Sequence, residues 1–311
     1  MIKMKALVTG GAGFIGSHIV EELLKEKSDV VVLDDLSNGK KENLPDSGIE
    51  FIKGSITDRE LLEKAVKDID FIFHEAAQTS IAHSIDHPAS TWDVNIRGTK
   101  LLLNAAVKAG VRRVIFASSD AVYGNALPPL KEGKDIKPIS PYGDSKRMGE
   151  ILMQEYHSKE KLDTVSLRYF NVYGQKENPK SECAGVISKF IGRMQKGERP
   201  IIFGNGMQTR DFIYVKDVVR ANMLALKMKK GKGDIFNIAS GNAVSISELV
   251  KTLNSVLGTQ LEPLFEPERE GDIKYSFADV ALAKKKLGFA ANVSLEQGLK
   301  ETVQWFKEKG G

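Results

Sequence analysis

The chain has 311 residues, 41% of them hydrophobic and 28% charged, an ordinary balance for a globular protein with a sizeable core. Its 45 basic and 41 acidic residues leave a net charge of +4, too small to predict a nucleic-acid partner. The single cysteine, Cys183, excludes an internal disulfide framework and fits a reducing compartment. No apolar run reaches the ~18 residues of a membrane span, so we expect a cytoplasmic protein without a membrane partner.

The first half of the chain alternates between short β-branched runs and amphipathic stretches. Strands are predicted at residues 5–10, 29–35, 49–54, 70–77, 111–119 and 163–170. Helices are predicted between them at 14–27, 58–66 and 95–110, and after Pro141. Nearly continuous apolar strands separated by helices indicate a parallel sheet covered on both faces. The predicted fold is therefore α/β, with a Rossmann-type doubly wound parallel sheet.

This regularity ends after Asn171. Helical patches follow at 185–196, 216–229, 247–257 and 279–287, with short strand-like pieces between them. The pattern predicts a smaller, mixed α/β C-terminal domain for the substrate. We predict a sheet domain of residues 1–174 plus 208–240, and a smaller domain of residues 175–207 plus 241–311.

A glycine-rich segment joins the first predicted strand to the first predicted helix. It satisfies Gly-x-Gly-x-x-Gly from Gly11 and Gly-x-x-Gly-x-x-Gly from Gly10. Such glycines let the backbone approach a pyrophosphate, which then sits on the helix N-terminus. Asp34, 18 residues after Gly16, is placed to accept hydrogen bonds from ribose hydroxyls, and with Asp35 it would repel a 2′-phosphate. The segment predicts NAD rather than NADP; alternatively, Asp34 only closes a strand-end turn.

Tyr142 precedes Lys146 by four residues, so in the helix after Pro141 the two side chains share one face. A free phenol has a pKa of ~10, too high for a base at neutral pH. An ammonium ~4 Å away in a partly buried site favours the phenolate by ~4 kcal/mol, roughly three pKa units. The pair predicts a tyrosine that acts as a base; the alternative is an exposed tyrosine beside a solvated lysine.

Seven motifs in the chain resemble those of a known family and occur in its order. They are GGAGFIG (10–16), HEAA (74–77), SSDAVYG (118–124), YGDSK (142–146), LRYFNVYG (167–174), FGNGMQTRDFIYVKD (203–217) and EPEREGDIKYSFAD (266–279). The first five resemble the extended short-chain dehydrogenase/reductase family, most closely its NAD-dependent nucleotide-sugar epimerase/dehydratase branch. The last two resemble the UDP-sugar members of that branch.

The resemblance implies that Ser119, Tyr142 and Lys146 form the catalytic set. Tyr142 would remove a sugar hydroxyl proton held by Ser119, while hydride leaves the same carbon for NAD. The alternative for Ser119 is a buried strand-end hydroxyl bonded to backbone. The implied cofactor-binding residues are Gly10, Gly13, Phe14, Ile15, Gly16, Asp34, Asp35, Ser37, Asn38, Gly39, Ser55, Ile56, Ala76, Ala77, Gln78, Asn95, Ser118, Tyr142, Lys146 and Tyr169.

The resemblance also implies a UDP-sugar substrate and a homodimer formed through helices around 95–109 and 142–157. Arg210 and Arg269 would clamp the pyrophosphate, and Asp272 would bind the nucleotide ribose. Alternatively, Arg210 is a surface salt-bridge former. The implied substrate-binding residues are Thr79, Ser119, Tyr142, Asn171, Val186, Arg210, Arg269, Asp272 and Ser276. No metal is expected, because the spacing of His74, His83 and His87 suggests no metal site.

The reaction expected from the resemblance is 4-epimerisation of a UDP-hexose through a transient 4-keto sugar and bound NADH. Dehydratases and decarboxylases of the branch typically carry Glu where this chain has Ala121, and Ala121 cannot take a C5 proton. Asp120 keeps a 4,6-dehydratase open, and the nearby Arg168 and Lys176 keep a UDP-glucuronate epimerase or decarboxylase open. A net oxidoreductase and a non-catalytic NAD-binding module are further alternatives. Ser276, where some relatives carry a bulky residue, predicts room for an N-acetyl group at C2.

Overall fold

The computed structural model describes residues 4–134, 136–181, 183–268 and 273–309. The strands are β1 Lys5–Thr9, β2 Asp29–Asp34, β3 Ile49–Lys53, β4 Phe71–His74, β5 Arg113–Ser119, β6 Asp163–Tyr169, β7 Val172–Tyr173, β8 Ile201–Phe203, β9 Thr209–Arg210, β10 Ile213–Tyr214, β11 Asp234–Ile238, β12 Val244–Ser245 and β13 Leu264–Glu266. The α-helices are α1 Phe14–Lys25, α2 Arg59–Ala65, α3 Ile81–Asp86, α4 Pro88–Trp92, α5 Thr99–Ala109, α6 Pro141–Glu160, α7 Val186–Met194, α8 Val215–Lys227, α9 Ile246–Leu257 and α10 Leu295–Glu308. Within the described ranges, no helix is both long and apolar enough to cross a membrane.

Seven strands form one large sheet in the order β11-β6-β5-β4-β1-β2-β3, and all the pairings among β1 to β6 are parallel. The predicted Rossmann-type fold is confirmed. Chain order reverses at β1, which pairs with both β2 and β4, and such a switch point opens a crevice at the carboxyl ends of the strands. The prediction for β4 was too long, because the strand ends at His74 and residues 75–77 enter the following loop.

Local sequence explains where the main helices begin and end. Ser140 accepts a hydrogen bond from the Gly143 N–H and Pro141 occupies the first turn, so α6 begins there. Gly110, with φ +72°, ends α5 in the left-handed conformation that glycine adopts without strain. The predicted helix at 95–110 is in fact α5 preceded by a π-helical segment, Asp93–Gly98.

The hydrophobic core of the sheet is built from the inward faces of β1, β2, β4 and β5 and from α2, α5 and α6. Its members include Leu7, Val31, Ile72, Val114, Leu102 and Leu152. Phe116 of β5 also limits how closely α6 can approach. A Cβ at Gly149 of α6 would collide with the Phe116 ring, because it would lie only 2.7 Å from one ring carbon and nearer to another. Glycine at this position therefore lets α6 lie directly on the strand that carries Ser119.

The chain divides into two compact units. The first is Met1–Gly124, Lys137–Tyr169 and Val219–Phe236, and the second is Asn125–Ile136, Phe170–Val218 and Asn237–Gly311. The division differs from the predicted domain bounds because residues 125–136, 170–174, 208–218 and 237–240 group with the second unit. Backbone bonds account for the first of these: Leu130 donates to the Phe277 carbonyl at 3.0 Å and accepts from the Asp279 N–H at 2.9 Å. Two-stranded pairings β7–β10, β9–β12 and β8–β13 occur in the second unit.

Candidate functional site

The glycine loop between β1 and α1 has the geometry of an anion site. Gly10 has φ +69°, and a Cβ there would meet the Ala76 nitrogen at 2.6 Å. A Cβ at Gly16 would collide with the Gly10 carbonyl oxygen. The first turn of α1 can therefore lie this close to the loop only because residue 16 is glycine. Gly13 precedes α1 and supplies no side-chain cap. Gly13 therefore leaves the first backbone N–H groups of α1 without a side-chain cap, as a phosphate site at a helix N-terminus requires.

Asp34 is the last residue of β2, and its carboxylate links the end of this strand to the glycine loop. It accepts hydrogen bonds from the Ala12 N–H at 2.9 Å and from the Leu36 N–H at 2.8 Å, so it closes a strand-end turn and also braces the glycine loop. Burial is the largest effect on Asp34 and raises its pKa above the ordinary value. A Cβ at Gly39 would stand 3.0 Å from the carboxylate, so this glycine leaves room beside it.

Several of the other predicted cofactor residues lie in loops that follow the carboxyl ends of the strands. Asp35, Ser37 and Asn38 follow β2, where Ser37 donates to Asp35 through both its N–H and its hydroxyl. Ser55 and Ile56 follow β3, and Ala76, Ala77 and Gln78 follow β4, together with the predicted substrate residue Thr79. The loops share the switch-point edge of the sheet with the glycine loop. This edge suits the predicted dinucleotide, whose diphosphate would lie on the glycine loop and whose ribose would lie at Asp34. The binding roles of the glycine loop and Asp34 stay predictions.

Asn95 fixes the loop after β4 to α6. Its amide group accepts from the Gln78 N–H at 2.8 Å and donates to the Gln78 carbonyl and to the Ser145 hydroxyl, both at 2.9 Å. Asn95 is buried in the π-helical segment, a type of helix that is frequent at functional sites. Ser145 in turn donates to the Tyr142 carbonyl at 2.7 Å. The predicted residue Asn95 thus orients the start of α6 through its side chain.

Tyr142 and Lys146 lie side by side on α6, as their spacing predicts. The Lys146 Nζ is 5.9 Å from the centre of the Tyr142 ring and donates to the Ala117 carbonyl of β5 at 2.7 Å. Lys146 is 3% exposed, and burial lowers the pKa of its ammonium to about 8. Lys146 is thus still mostly protonated at neutral pH, beside a partly exposed phenol. The roles of both residues as catalysts stay predictions.

Ser119 is the last residue of β5, in register with Tyr169 of β6. Its hydroxyl accepts from the Ala121 N–H at 3.1 Å and donates to the Asp120 carboxylate at 3.2 Å. The backbone bond that the alternative interpretation required is therefore present. Ser118 points elsewhere: its hydroxyl is buried and donates to Glu150 of α6 at 2.6 Å, so any contact of Ser118 with a cofactor would involve its backbone.

A buried ion pair joins α6 to β6. Arg168 of β6 donates to both oxygens of Glu150, at 2.7 and 2.8 Å, and to the Tyr123 hydroxyl at 2.8 Å. Arg168 and Glu150 are both fully buried. Arg168, which kept a carboxylated sugar open as a substrate, therefore already has a carboxylate partner inside the protein.

Glu75 is a site residue that sequence reasoning missed, although it lies in the quoted HEAA motif. Its carboxylate accepts from the Tyr169 hydroxyl at 2.9 Å, and that hydroxyl accepts from the Asn222 amide at 2.8 Å. Burial raises the pKa of Glu75 to about 7. The sequence feature that could have identified Glu75 is an ionisable residue directly after a buried strand. The predicted cofactor residue Tyr169 directs its hydroxyl into this network.

The second unit contains the described substrate candidates Asn171, Val186, Arg210 and Ser276. Arg210 in β9 donates through Nη1 to the carbonyls of Thr209 and Ile273, at 2.9 and 2.6 Å. Ser276 is buried, and its N–H donates to the same Thr209 carbonyl at 3.2 Å. Asn171 precedes β7, and Val186 is the first residue of α7. The predicted residues Arg269 and Asp272 lie outside the described residues.

The histidines have structural partners. His74 is buried between the hydroxyls of Thr9 and Thr99, at 2.8 and 2.9 Å, and burial lowers its pKa to about 3. Among the residues that the structure describes, no three His, Cys, Asp or Glu side chains group as metal ligands would.

Comparison with known proteins agrees with this geometry. Residues 6–239 match the model of the NAD dependent epimerase/dehydratase family. The UDP-glucose 4-epimerase of Mycolicibacterium smegmatis is 39% identical over 98% of this chain and 99% of its own. The UDP-glucose 4-epimerase of Thermotoga maritima, crystallised with UDP-glucose, has 41% identity and a TM-score of 0.95, covering 99% of this chain and 100% of its own.

A UDP-N-acetylglucosamine 4-epimerase from Methanobrevibacter ruminantium, solved with UDP-N-acetylmuramic acid, has 39% identity and a TM-score of 0.95, again covering 99% of this chain and 100% of its own. The family match spans the glycine loop, Ser119, Tyr142 and Lys146. This chain belongs to the NAD-dependent epimerase/dehydratase family of enzymes.

Proposed function

We propose that the enzyme catalyses reversible 4-epimerisation of a UDP-hexose, UDP-glucose and UDP-galactose being the first pair. The observation that carries this proposal is the arrangement of Tyr142 beside the buried Lys146 ammonium, with Ser119 at the end of the neighbouring strand and Ala121 two residues further on. The UDP-glucose 4-epimerases of M. smegmatis and T. maritima, which are similar along their whole length, support the same substrate class.

Each residue has a definite task in the proposed reaction. Tyr142 takes the proton of the sugar C4 hydroxyl, which Ser119 holds by a hydrogen bond, and Lys146 stabilises the phenolate electrostatically. The chemistry that bound NAD would supply is reversible hydride transfer at C4, with return to the opposite face of the keto sugar. Arg210 and Arg269 hold the diphosphate, so the sugar itself can turn over between the two transfers.

Epimerisation is favoured over dehydration by the residues after Ser119. Elimination across C5 and C6 needs a base for the C5 proton, and Ala121 has none to offer. Asp120 accepts from the Ser119 hydroxyl at 3.2 Å, so its carboxylate is engaged in orienting that serine. Arg168 is fully buried against Glu150, which weighs against a glucuronate substrate.

The test is a substrate panel scored by sugar product. Purified enzyme is incubated with UDP-galactose, UDP-GalNAc, UDP-glucuronate and dTDP-glucose, and the products are separated by chromatography. We expect UDP-glucose from UDP-galactose, with no lasting change in absorbance at about 340 nm because the hydride returns to the sugar. A 4-keto-6-deoxy product, or stoichiometric NADH, would contradict the proposal.

We further propose that 2-acetamido sugars are accepted. Ser276 is small and buried, and the UDP-N-acetylglucosamine 4-epimerase of M. ruminantium has a closely similar structure. Ser276→Tyr is expected to lower activity on UDP-GlcNAc by about tenfold or more, while activity on UDP-glucose falls less than about threefold. The reason is that the tyrosine ring would occupy space that only the acetamido group needs. Equal loss on both substrates in the same assay would exclude this role for Ser276.

We also propose the homodimer that the resemblance implies, formed through α5 and α6, and exposed apolar side chains on α6 and on α4, which precedes α5 in the chain, support it. Trp92, Met148 and Ile151 are 51%, 41% and 39% exposed there, which is unusual for large apolar side chains on neighbouring helices. Sedimentation velocity is expected to give twice the chain mass for the wild type and the chain mass for Ile151→Glu. Leu127→Glu, at another exposed apolar residue, is the control and should remain dimeric. A wild-type monomer would contradict the proposal.

A further inference from the structure

A polar network lies at the carboxyl ends of β4 and β6, beside the predicted catalytic residues. Glu75 directly follows His74, which is in register with Phe116 of β5. The next residue of β5, Ala117, offers its carbonyl to the Lys146 ammonium at 2.7 Å. Glu75 is therefore about one strand spacing from the backbone group that holds Lys146.

Glu75 is held in place at its backbone and at its carboxylate. Its own N–H donates to the Thr9 carbonyl at 3.1 Å, and Oε1 accepts from the Tyr169 hydroxyl at 2.9 Å. Asn222 of α8 fixes that hydroxyl by donating to it at 2.8 Å. Thr9 and Asn222 are uncharged, so this scaffold orients Glu75 without neutralising it.

The charged and titratable groups that face Glu75, among the described residues, come from two elements. Lys146 of α6 lowers the pKa of Glu75 by its charge, and Glu75 raises the pKa of Lys146 in return. The Tyr169 hydroxyl of β6 also lowers the pKa of Glu75 by donating to it, while burial acts more strongly in the opposite direction. His74, next to Glu75 in the chain, is neutral because burial lowers its pKa to about 3.

We propose that Glu75 is a positioning residue that sets the balance between the oxidised and reduced forms of the bound dinucleotide. The inference rests on the proposed placement of the nicotinamide at Tyr142 and Lys146. The oxidised ring is positive and the reduced ring is neutral, so a nearby carboxylate favours the oxidised form and the Lys146 ammonium favours the reduced form. Glu75 thereby offsets Lys146.

Such a balance suits an enzyme that must give back the hydride it takes. A site with the ammonium alone would favour the reduced dinucleotide and slow hydride return to the keto sugar. An ionised Glu75 lowers that preference, and protonation of Glu75 restores it. The balance is therefore expected to change with pH around neutrality, where Glu75 has its pKa of about 7.

The experiment is a redox titration of the NAD-loaded protein without sugar, followed by absorbance at about 340 nm against a dye couple. At pH 8, Glu75→Gln is expected to favour the reduced form about tenfold more than the wild type, a midpoint about 30 mV higher for a two-electron couple. Below about pH 6 the two curves should converge, because wild-type Glu75 is then protonated.

Glu177→Gln is the matched control. Glu177 is another carboxyl whose pKa burial raises to about 7, but the charge that acts on it is that of Lys189 and not that of Lys146, so its replacement should leave the midpoint unchanged. Tyr169→Phe is a second test variant that removes a hydrogen bond to the ionised carboxylate, so its shift should have the same sign and be smaller. Wild-type midpoints in both Glu75→Gln and Tyr169→Phe at pH 8 would overturn the proposal. Because no sugar is present, this result is independent of whether the enzyme epimerises UDP-galactose.

Discussion

Tyr142→Phe is expected to slow interconversion of UDP-galactose and UDP-glucose by about 10³-fold, because it removes the hydroxyl that acts as general base. The phenylalanine ring preserves the packing of the side chain. The buried Lys146 ammonium, 5.9 Å from the ring centre, stays in place through its bond to the Ala117 carbonyl. The variant should therefore fold and retain NAD.

The measurement is the rate of UDP-glucose formation, with bound dinucleotide quantified in parallel. Tyr156→Phe is the matched control on the same helix: its hydroxyl donates to Asn104 at 2.6 Å, and its loss should leave the rate within about threefold of the wild type. An undiminished rate in Tyr142→Phe would remove the proposed base.

The six strands predicted in the first half of the chain are present, as β1 to β6, because buried parallel strands are recognisable as apolar runs between helices. The pairing of Tyr142 with Lys146 was predictable for a similar reason: residues four apart on a helix must be neighbours. Both predictions depend on local periodicity, which the sequence displays directly.

Features that depend on strand order could not be predicted from the sequence. Glu75 and Tyr169 are 94 residues apart and meet only because β4 and β6 both flank β5. β11, whose segment DIFNI mixes polar and apolar residues, becomes the edge strand beside β6. α10 is different, because Leu299, Val303 and Phe306 have helical spacing and Ser294 caps the helix. That helix was recognisable and was missed.

Glu150→Gln is expected to lower the free energy of unfolding by about 3–5 kcal/mol, the usual cost of leaving a buried charge without its partner. The amide keeps the shape of the carboxylate but removes the negative charge that compensates the fully buried Arg168. The amide nitrogen, which is a hydrogen-bond donor, would also replace an oxygen that accepts from the Arg168 guanidinium. The change would appear in equilibrium urea unfolding as an earlier midpoint.

Arg147, the second arginine that donates to Glu150, provides the control. Arg147 donates to Glu150 at 3.0 Å from a side chain that is 29% exposed, so Arg147→Met removes a solvent-screened partner and should cost less than about 1 kcal/mol. Equal destabilisation by the two variants would show that burial does not govern this network. Because Glu150 joins α6 to Ser118 and Arg168, its replacement should also loosen the helix that carries Tyr142 and Lys146. Turnover should then fall more than NAD binding, since the glycine loop and Asp34 make no contact with Glu150 in the hydrogen bonds of the described residues.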